Sequence, residues 1–180
     1  MRALERLSAL AARLAGAVAS LATVLCLALI CWSVAARYLF GAPQPWIDKA
    51  AGWLVVALVL LGAPEAQRRF EHIGVDIAVG RIGPRLARLA RLLGVVSVAA
   101  VAAILLDAGL EAVAFSRLVG LMTDIEGVPQ WWIHALLPIG ASVLLLVALV
   151  QALALLAGRE PPCLPHDEDG LPRDSLARGE

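Results

Sequence analysis

The stretch of sequence that decides the fold is residues 14–36, LAGAVASLATVLCLALICWSVAA, which contains no charged side chain. A bilayer core about 30 Å thick requires roughly 20 apolar residues, because an α-helix rises about 1.5 Å per residue. These 23 residues are therefore enough to cross a membrane. A second stretch, residues 127–158, is longer still, and His134 is its only side chain that can carry charge near neutral pH.

Two shorter charge-free stretches, residues 50–64 and 92–106, lie between these two and reach spanning length with their flanking residues. The composition agrees, because 61% of the residues are hydrophobic and the mean hydropathy is +0.82. The apolar runs lack the two-residue alternation of a membrane barrel. The sequence predicts an all-α integral membrane protein with one domain, residues 1–158, and a disordered tail, residues 159–180. The predicted spans are about 14–36, 46–66, 90–115 and 129–157.

The basic residues predict how these helices are oriented. Twelve of the fifteen Lys and Arg residues fall before the first span, between spans two and three, or after span four. Because Lys and Arg are retained on the cytoplasmic side, we expect both termini and the connection between spans two and three to be cytoplasmic. The five Trp residues then all lie towards the outer side, as in an aromatic belt or a docking surface.

Two surface helices are also expected. Arg2, Arg6 and Arg13 occupy one sector of a helix whose other sector is leucine-rich, which predicts an amphipathic N-terminal helix on the inner leaflet. After Pro84, basic and apolar residues alternate at helical spacing, which predicts a short inner surface helix leading into span three. In span three, Asp107 and Glu111 share one helix face. We expect them near its outer end, either solvated or in contact with a partner.

The sequence predicts no catalytic residue, metal site or cofactor, and so no enzyme. It has no phosphate-binding loop, no Gly-x-Ser-x-Gly and no His-Glu-x-x-His motif. The three histidines fall in a loop, an outer helix start and the tail, where they cannot form a haem site. Membrane topology explains the basic segment, so nucleic acid is not implied. Spans one and two have no ionisable side chain at mid-depth, which favours a subunit that supports another protein.

One region carries a family resemblance. The sequence reads Arg37-Tyr38-Leu39-Phe40, Pro45-Trp46-Ile47-Asp48, Gly62, and Glu71-His72-Ile73-Gly74-Val75-Asp76. This pattern resembles the small, DctQ-like permease subunit of tripartite ATP-independent periplasmic (TRAP) transporters. The resemblance covers residues 30–80, and Lys49 stands where that family usually has Glu.

The resemblance implies a scaffold subunit in the bacterial inner membrane, surrounded by lipid, within a sodium symporter that imports an organic acid. Its partners would be a large many-span permease and a periplasmic solute-binding protein. Arg37, Trp46 and Asp48 would organise the outer turn, where Arg37 pairs with Asp48 or with a partner, and His72 and Asp76 would fix the inner turn. The complete set of predicted partner or scaffold contacts is Arg37, Phe40, Trp46, Asp48, Lys49, His72, Asp76, Trp131 and Trp132.

Two alternatives stay open at this point. A stand-alone small multidrug transporter resembles a shorter chain with a Glu in its first span, and here the first span has no carboxylate. The small subunit of a tripartite tricarboxylate transporter is the family most easily confused with this one. The motif spacing between Arg37 and Asp76 favours the TRAP family.

Overall fold

The computed structural model describes residues 2–69, 84–123, 125 and 127–157. These residues form four long helices and one short helix. The helices are α1 (Arg2–Leu39), α2 (Pro45–Arg69), α3 (Pro84–Val119), α4 (Trp131–His134) and α5 (Leu136–Leu156). Four apolar stretches are long enough to cross a membrane, with α4 and α5 together forming the fourth. The predicted count of four spanning helices is confirmed.

The prediction of a separate amphipathic N-terminal helix is wrong. α1 runs without interruption for 38 residues, so the basic N-terminal segment is the first part of the first span. Its leucines face outward, and Leu7 is 62% exposed, whereas Ser8 and Ala12 are buried against the bundle. α1 contains no Pro, and its one Gly is Gly16, which a helix tolerates. Nothing in the sequence therefore separates the basic N-terminal segment from the first span.

The predicted inner surface helix is likewise absent from the described residues. α3 begins at Pro84 and continues to Val119, so its basic first turns belong to the same helix as span three. Pro is favoured in a first helical turn, because the N–H that it lacks would have no partner there. The residues that link α2 to α3, like the predicted tail, lie outside the described residues.

α5 is the centre of the bundle. It packs against α1, α2 and α3, while α1 and α2 form one antiparallel hairpin and α3 packs mainly against α4 and α5. Half of the most hydrophobic window in this fourth span is buried, the largest share of the four spans. The predicted span beginning at residue 129 is broken at Ala135, between α4 and α5. Pro138 explains this break, because it has no N–H for the carbonyl of His134.

Small side chains bring the helices close together. On α1 the buried positions follow a spacing of three or four residues and face α2 and α5; they are Ala12, Ala15, Ala19, Ala22 and Cys26. A Cβ added to Gly140 of α5 would lie 2.5 Å from the carbonyl oxygen of Leu60 in α2. Close approach increases the van der Waals contact between the helices, which favours their association with each other over contact with lipid.

A buried polar pair joins α2 to α5 near their C-terminal ends. The Gln67 side-chain amide donates to Gln151 Oε1 at 2.8 Å, and Gln151 Nε2 donates to the Gln67 backbone carbonyl at 3.0 Å. Both side chains are more than nine-tenths buried. Because neither water nor lipid reaches them, the two amides satisfy each other and fix how α5 lies along α2.

Candidate functional site

The turn between α1 and α2 positions most of the predicted site residues. Gly41 ends α1 with a φ of +61°, a conformation that glycine adopts without a Cβ penalty. The Ala42 N–H donates to the Ala36 carbonyl at 3.1 Å, which closes the end of the helix. α2 then begins at Pro45, one residue before the predicted start of span two, and proline is favoured at a first helical position.

Asp48 links the two helices at this turn. It accepts a hydrogen bond from Ser33 Oγ at 2.8 Å on one carboxylate oxygen and one from Arg37 Nη2 at 3.1 Å on the other. Ser33 and Arg37 lie one turn apart on α1, so a single carboxylate contacts two successive turns. Arg37 is in the last turn of α1 and Asp48 is in the first turn of α2, where the helix dipoles favour each charge.

The aromatic side chains of this turn remain exposed. Trp46 donates from its indole Nε1 to Gln44 Oε1 at 2.9 Å, and half of Trp46 is exposed. The rings of Trp32 and Phe40 lie 6.5 Å apart, and both are more than half exposed. An exposed aromatic cluster at a membrane boundary suits either lipid or a protein partner.

A second group of side chains joins the end of α3 to α4. His134 Nδ1 lies 2.6 Å from Ser116 Oγ, and the Ser116 hydroxyl also donates to the carbonyl of Ala112. The Arg117 guanidinium lies 4.2 Å from the centre of the Trp131 ring, and Trp131 meets Trp132 edge to face. Arg117 is exposed, and a cation–π contact at an exposed site contributes about 0.5–1 kcal/mol. These contacts hold α4 against the end of α3.

An apolar groove opens beside His134. It has a volume of about 510 Å³ and lies between α2 and the α3–α4 corner. Its lining residues are Val55, Val56, Val59, Leu60, Ala112, Ile133, His134 and Leu137. The groove shows that α2 and α3 do not close against each other at this depth.

The structure thus places the predicted residues in two groups. Arg37 and Asp48 form the ion pair that the sequence allowed, with Trp46 and Phe40 beside them. Trp131 and Trp132 belong to the second group, and Lys49 is exposed on the first turn of α2. His72 and Asp76 lie outside the described residues. Whether any of these residues contacts a partner stays a prediction.

Sequence reasoning missed Ser33 and Ser116. Each is a single hydroxyl within an apolar helix, and each is buried against a polar side chain from another segment. Ser33 lies four residues before Arg37, and that helical spacing is the one signal that could have placed it beside Asp48.

The described residues contain no group of three His, Cys, Asp or Glu side chains that could hold a metal ion. Cys26 is buried and donates from its thiol to the Ala51 carbonyl at 3.6 Å, while Cys31 is exposed. In the described part of the chain, the buried side chains of Ser33, Gln67, Ser116 and Gln151 connect helices, whereas most other Ser and Thr hydroxyls bond to carbonyls of their own helix.

Comparison with known families gives one match. Residues 26–158 match the family model described as "Tripartite ATP-independent periplasmic transporters, DctQ component". The matched region extends from the middle of α1 past the end of α5, well over half of the chain. A search of curated proteins gives no match.

Proposed function

The chain belongs to the DctQ component family of TRAP transporters, and we propose that it is the static scaffold of a sodium-coupled importer of an organic acid. DctQ components are small membrane subunits that work with a large permease and a periplasmic binding protein in the bacterial inner membrane. The chain is therefore a multi-pass transporter subunit and not an enzyme.

One observation carries the scaffold role. α1, α2 and α5 pack against one another, and none of them has an ionisable side chain in the middle of its span. A protein that moves ions or polar solutes through its own body normally has ionisable or unwound elements that face its interior at that depth. A bundle joined by alanine, glycine and one glutamine pair suits a fixed support for another subunit.

The finer parts of the proposal rest on the family. We assign the sodium and solute sites to the large permease and the choice of solute to the binding protein. The residues predicted to touch these partners are the full set named from the sequence: Arg37, Phe40, Trp46, Asp48, Lys49, His72, Asp76, Trp131 and Trp132. Both termini lie in the cytoplasm in this proposal, following the distribution of Lys and Arg.

Reconstitution tests the proposal. The subunit, its large permease and its binding protein are purified, and a thermal-shift screen of organic acids on the binding protein identifies the solute. Uptake into liposomes should then require all three proteins and an inward sodium gradient. Uptake by this subunit alone would support a stand-alone transporter instead. Equal uptake without a sodium gradient would contradict the coupling, and full uptake without this subunit would contradict its role.

Distance measurements test whether the bundle keeps its shape during transport. Spin labels on the exposed positions Leu21 of α1 and Leu153 of α5 report the width of the bundle. In the assembled transporter, their distance distribution should stay the same with and without sodium and loaded binding protein. A matched pair that joins the scaffold to the moving domain of the permease should shift. A shift within the Leu21–Leu153 pair would contradict the scaffold role.

A further inference from the structure

α3 is the span that the bundle covers least. Only 11% of its most hydrophobic window is buried, compared with half of the window in the fourth span. Its buried positions recur every seven residues, at Val95, Ala102, Gly109 and Ser116. Val95 and Gly109 pack against α5, and Ser116 contacts His134 of α4. A seven-residue spacing keeps one narrow stripe of a helix against its neighbour. The rest of α3 is left for lipid or for another protein.

Two carboxylates lie on the uncovered side. At 3.6 residues per turn, Asp107 and Glu111 are each about 160° around the helix from the buried Gly109. Both side chains are exposed. In the described part of the chain, neither has a hydrogen bond or an ion pair. The charges therefore point away from the bundle that carries them.

The packing of α3 on α5 sets the depth of these carboxylates. Gly140 lies against Leu60 of α2, and Gly109 lies against Pro138, two residues before Gly140. Asp107 precedes Gly109 by two residues, which brings it back to about the level of Gly140 and Leu60. This level is deeper along the bundle than the outer end of span three, where the sequence predicts Asp107.

α2 provides the scale for that level. Leu60 is twelve residues, about 18 Å, from Asp48, and eight residues, about 12 Å, from Arg68. The two charged positions are separated by about the thickness of a hydrocarbon core. On this scale, Asp107 is level with the apolar part of α2, closer to the charged end at Glu65 and Arg68 than to Asp48, and Glu111 lies one turn nearer to the level of Asp48. A carboxylate at the centre of a lipid-facing helix is unfavourable, and such groups normally pair inside a protein assembly.

We propose that this face of α3 binds a transmembrane helix of the large permease that presents a Lys or Arg side chain beside Asp107 and Glu111. The surface has the composition of a helix–helix interface. Alanines flank the carboxylates and permit close approach, and large apolar side chains lie above and below them. The exposed residues of this α3 face are Ala100, Ala103, Ile104, Asp107, Glu111, Ala114, Phe115 and Leu118.

Charge complementarity selects this occupant over two others. A second copy of this chain would bring carboxylates against carboxylates, and like charges repel strongly where water is excluded. A basic lipid headgroup lies at the membrane surface, about 15 Å from the midplane, and does not reach Asp107. A basic side chain on a permease helix can lie at the required depth. The inference rests on the established pairing of DctQ components with a large permease.

Co-purification of the full complex tests the proposal. The variant D107N/E111Q keeps the shape of both side chains and removes their charge, while D107K/E111K reverses it. We expect recovery of the permease with the tagged subunit to fall by about tenfold or more for the reversed variant, because truncating or opposing one side of a buried charge pair raises the dissociation rate. Recovery of the permease with D107N/E111Q should lie between the recovery with D107K/E111K and that with wild type.

The same experiment has a matched readout of folding. Because the carboxylates have no partner within the described chain, D107N/E111Q in the isolated subunit should elute and melt as wild type does. Changing the permease's basic residue to Asp or Glu should restore recovery with D107K/E111K. If wild type recovers the permease and D107K/E111K recovers it equally well, the α3 face is not the interface, while the subunit role stands. If wild type recovers no permease, the proposed function itself fails.

Photo-crosslinking locates the contact directly. A crosslinking residue at Ile104, on the α3 face, should capture the permease. The same residue at Gly94 of α3, whose surroundings in this chain are open, serves as the matched position off that face. Adducts with lipid alone from position 104, in a complex that retains the permease, would overturn the proposal.

Discussion

At the scale of single residues, the described part of the bundle uses its buried polar side chains as connections between helices. Gln67 and Gln151 are 84 residues apart in sequence and exchange two hydrogen bonds in the interior. In a membrane interior, interhelical hydrogen bonds contribute about 0.6 kcal/mol on average and up to about 1.7 kcal/mol. The pair therefore stabilises the bundle and also fixes the position of α5 along α2.

We expect Q151L and Q67L each to lower the free energy of unfolding by about 1 kcal/mol. Q151L removes the bonds to both the side chain and the backbone of Gln67, and Q67L removes the amide that donates to Gln151 Oε1. The double variant should lose less than the two single losses combined, because both amides are then removed together. Unfolding of the subunit in mixed micelles with increasing SDS, followed by tryptophan fluorescence, measures all three. Strict additivity would contradict this coupling.

The outer turn gives a second prediction. D48A removes the acceptor for both Ser33 and Arg37, while D48N keeps an oxygen for Ser33 and loses the ion pair. Because Arg37 and Asp48 are about half exposed, the ion pair contributes roughly 0–1 kcal/mol, and high salt weakens it. We expect D48A to lower the melting temperature more than D48N. High salt should narrow the difference between wild type and D48N, and an unchanged difference would assign the effect to the hydrogen bonds alone.

How far the sequence reveals the site follows from these residues. The pairing of Arg37 with Asp48 can be read from the sequence because the two residues flank one short turn within a recognisable motif. Gln67 and Gln151 are single amides in two distant apolar runs, and nothing local in either run indicates its partner. The depth of Asp107 depends on how α3 packs along α5, which sequence spacing within α3 does not contain.

At the scale of helices, close packing depends on a few positions without a side chain. Pro64 removes the N–H that would bond the Leu60 carbonyl within α2, and Gly140 of α5 packs directly against that carbonyl. A weak Cα–H···O contact is the interaction that such an approach allows. The helix nevertheless continues past Pro64 to Arg69, because α5 covers the disrupted turn.

We expect G140A to lower the free energy of unfolding by about 1–3 kcal/mol, the usual range for overpacking. Its Cβ would lie 2.5 Å from backbone, so α2 and α5 must move apart. G52A in α2 is the matched control, because a Cβ there meets nothing within 4 Å. The control should be neutral or slightly stabilising, since alanine favours helix by about 1 kcal/mol. Equal melting temperatures for G140A and wild type would contradict the close contact.

The helices also show which features of the fold the hydrophobic pattern of the sequence predicts and which it does not. Hydrophobic runs predict the number of spans and, to within one residue, the start of α2, because the length of an apolar run is a local property. They do not reveal whether a basic first turn is a separate surface helix or the beginning of a span. α1 and α3 both extend well beyond bilayer thickness, since their basic N-terminal turns continue the same hydrogen-bonded helix.

At the scale of the molecule, packing forms the body of the subunit, and charge sets its orientation in the membrane. The α1–α2 hairpin and α5 form an apolar body, α3 leaves one face open, and the outer turn and α4 present aromatic side chains at one end. Such a body suits a role of holding a larger permease, provided that its orientation places the aromatic end outside. The basic residues are what can set that orientation.

Reporter fusions measure this orientation, and we expect a definite pattern. Alkaline phosphatase, which is active only in the periplasm, should be inactive when fused after residue 80 or after residue 180, and active when fused after residue 122, between α3 and α4. A fluorescent protein that matures only in the cytoplasm should give the opposite pattern at the same three positions. The physical reason is that six of the fifteen basic residues lie between residues 68 and 91, whereas only Arg117 lies between span three and span four. Phosphatase activity after residue 80 would mean that the bundle is inserted in the opposite orientation. It would contradict the cytoplasmic location of both termini.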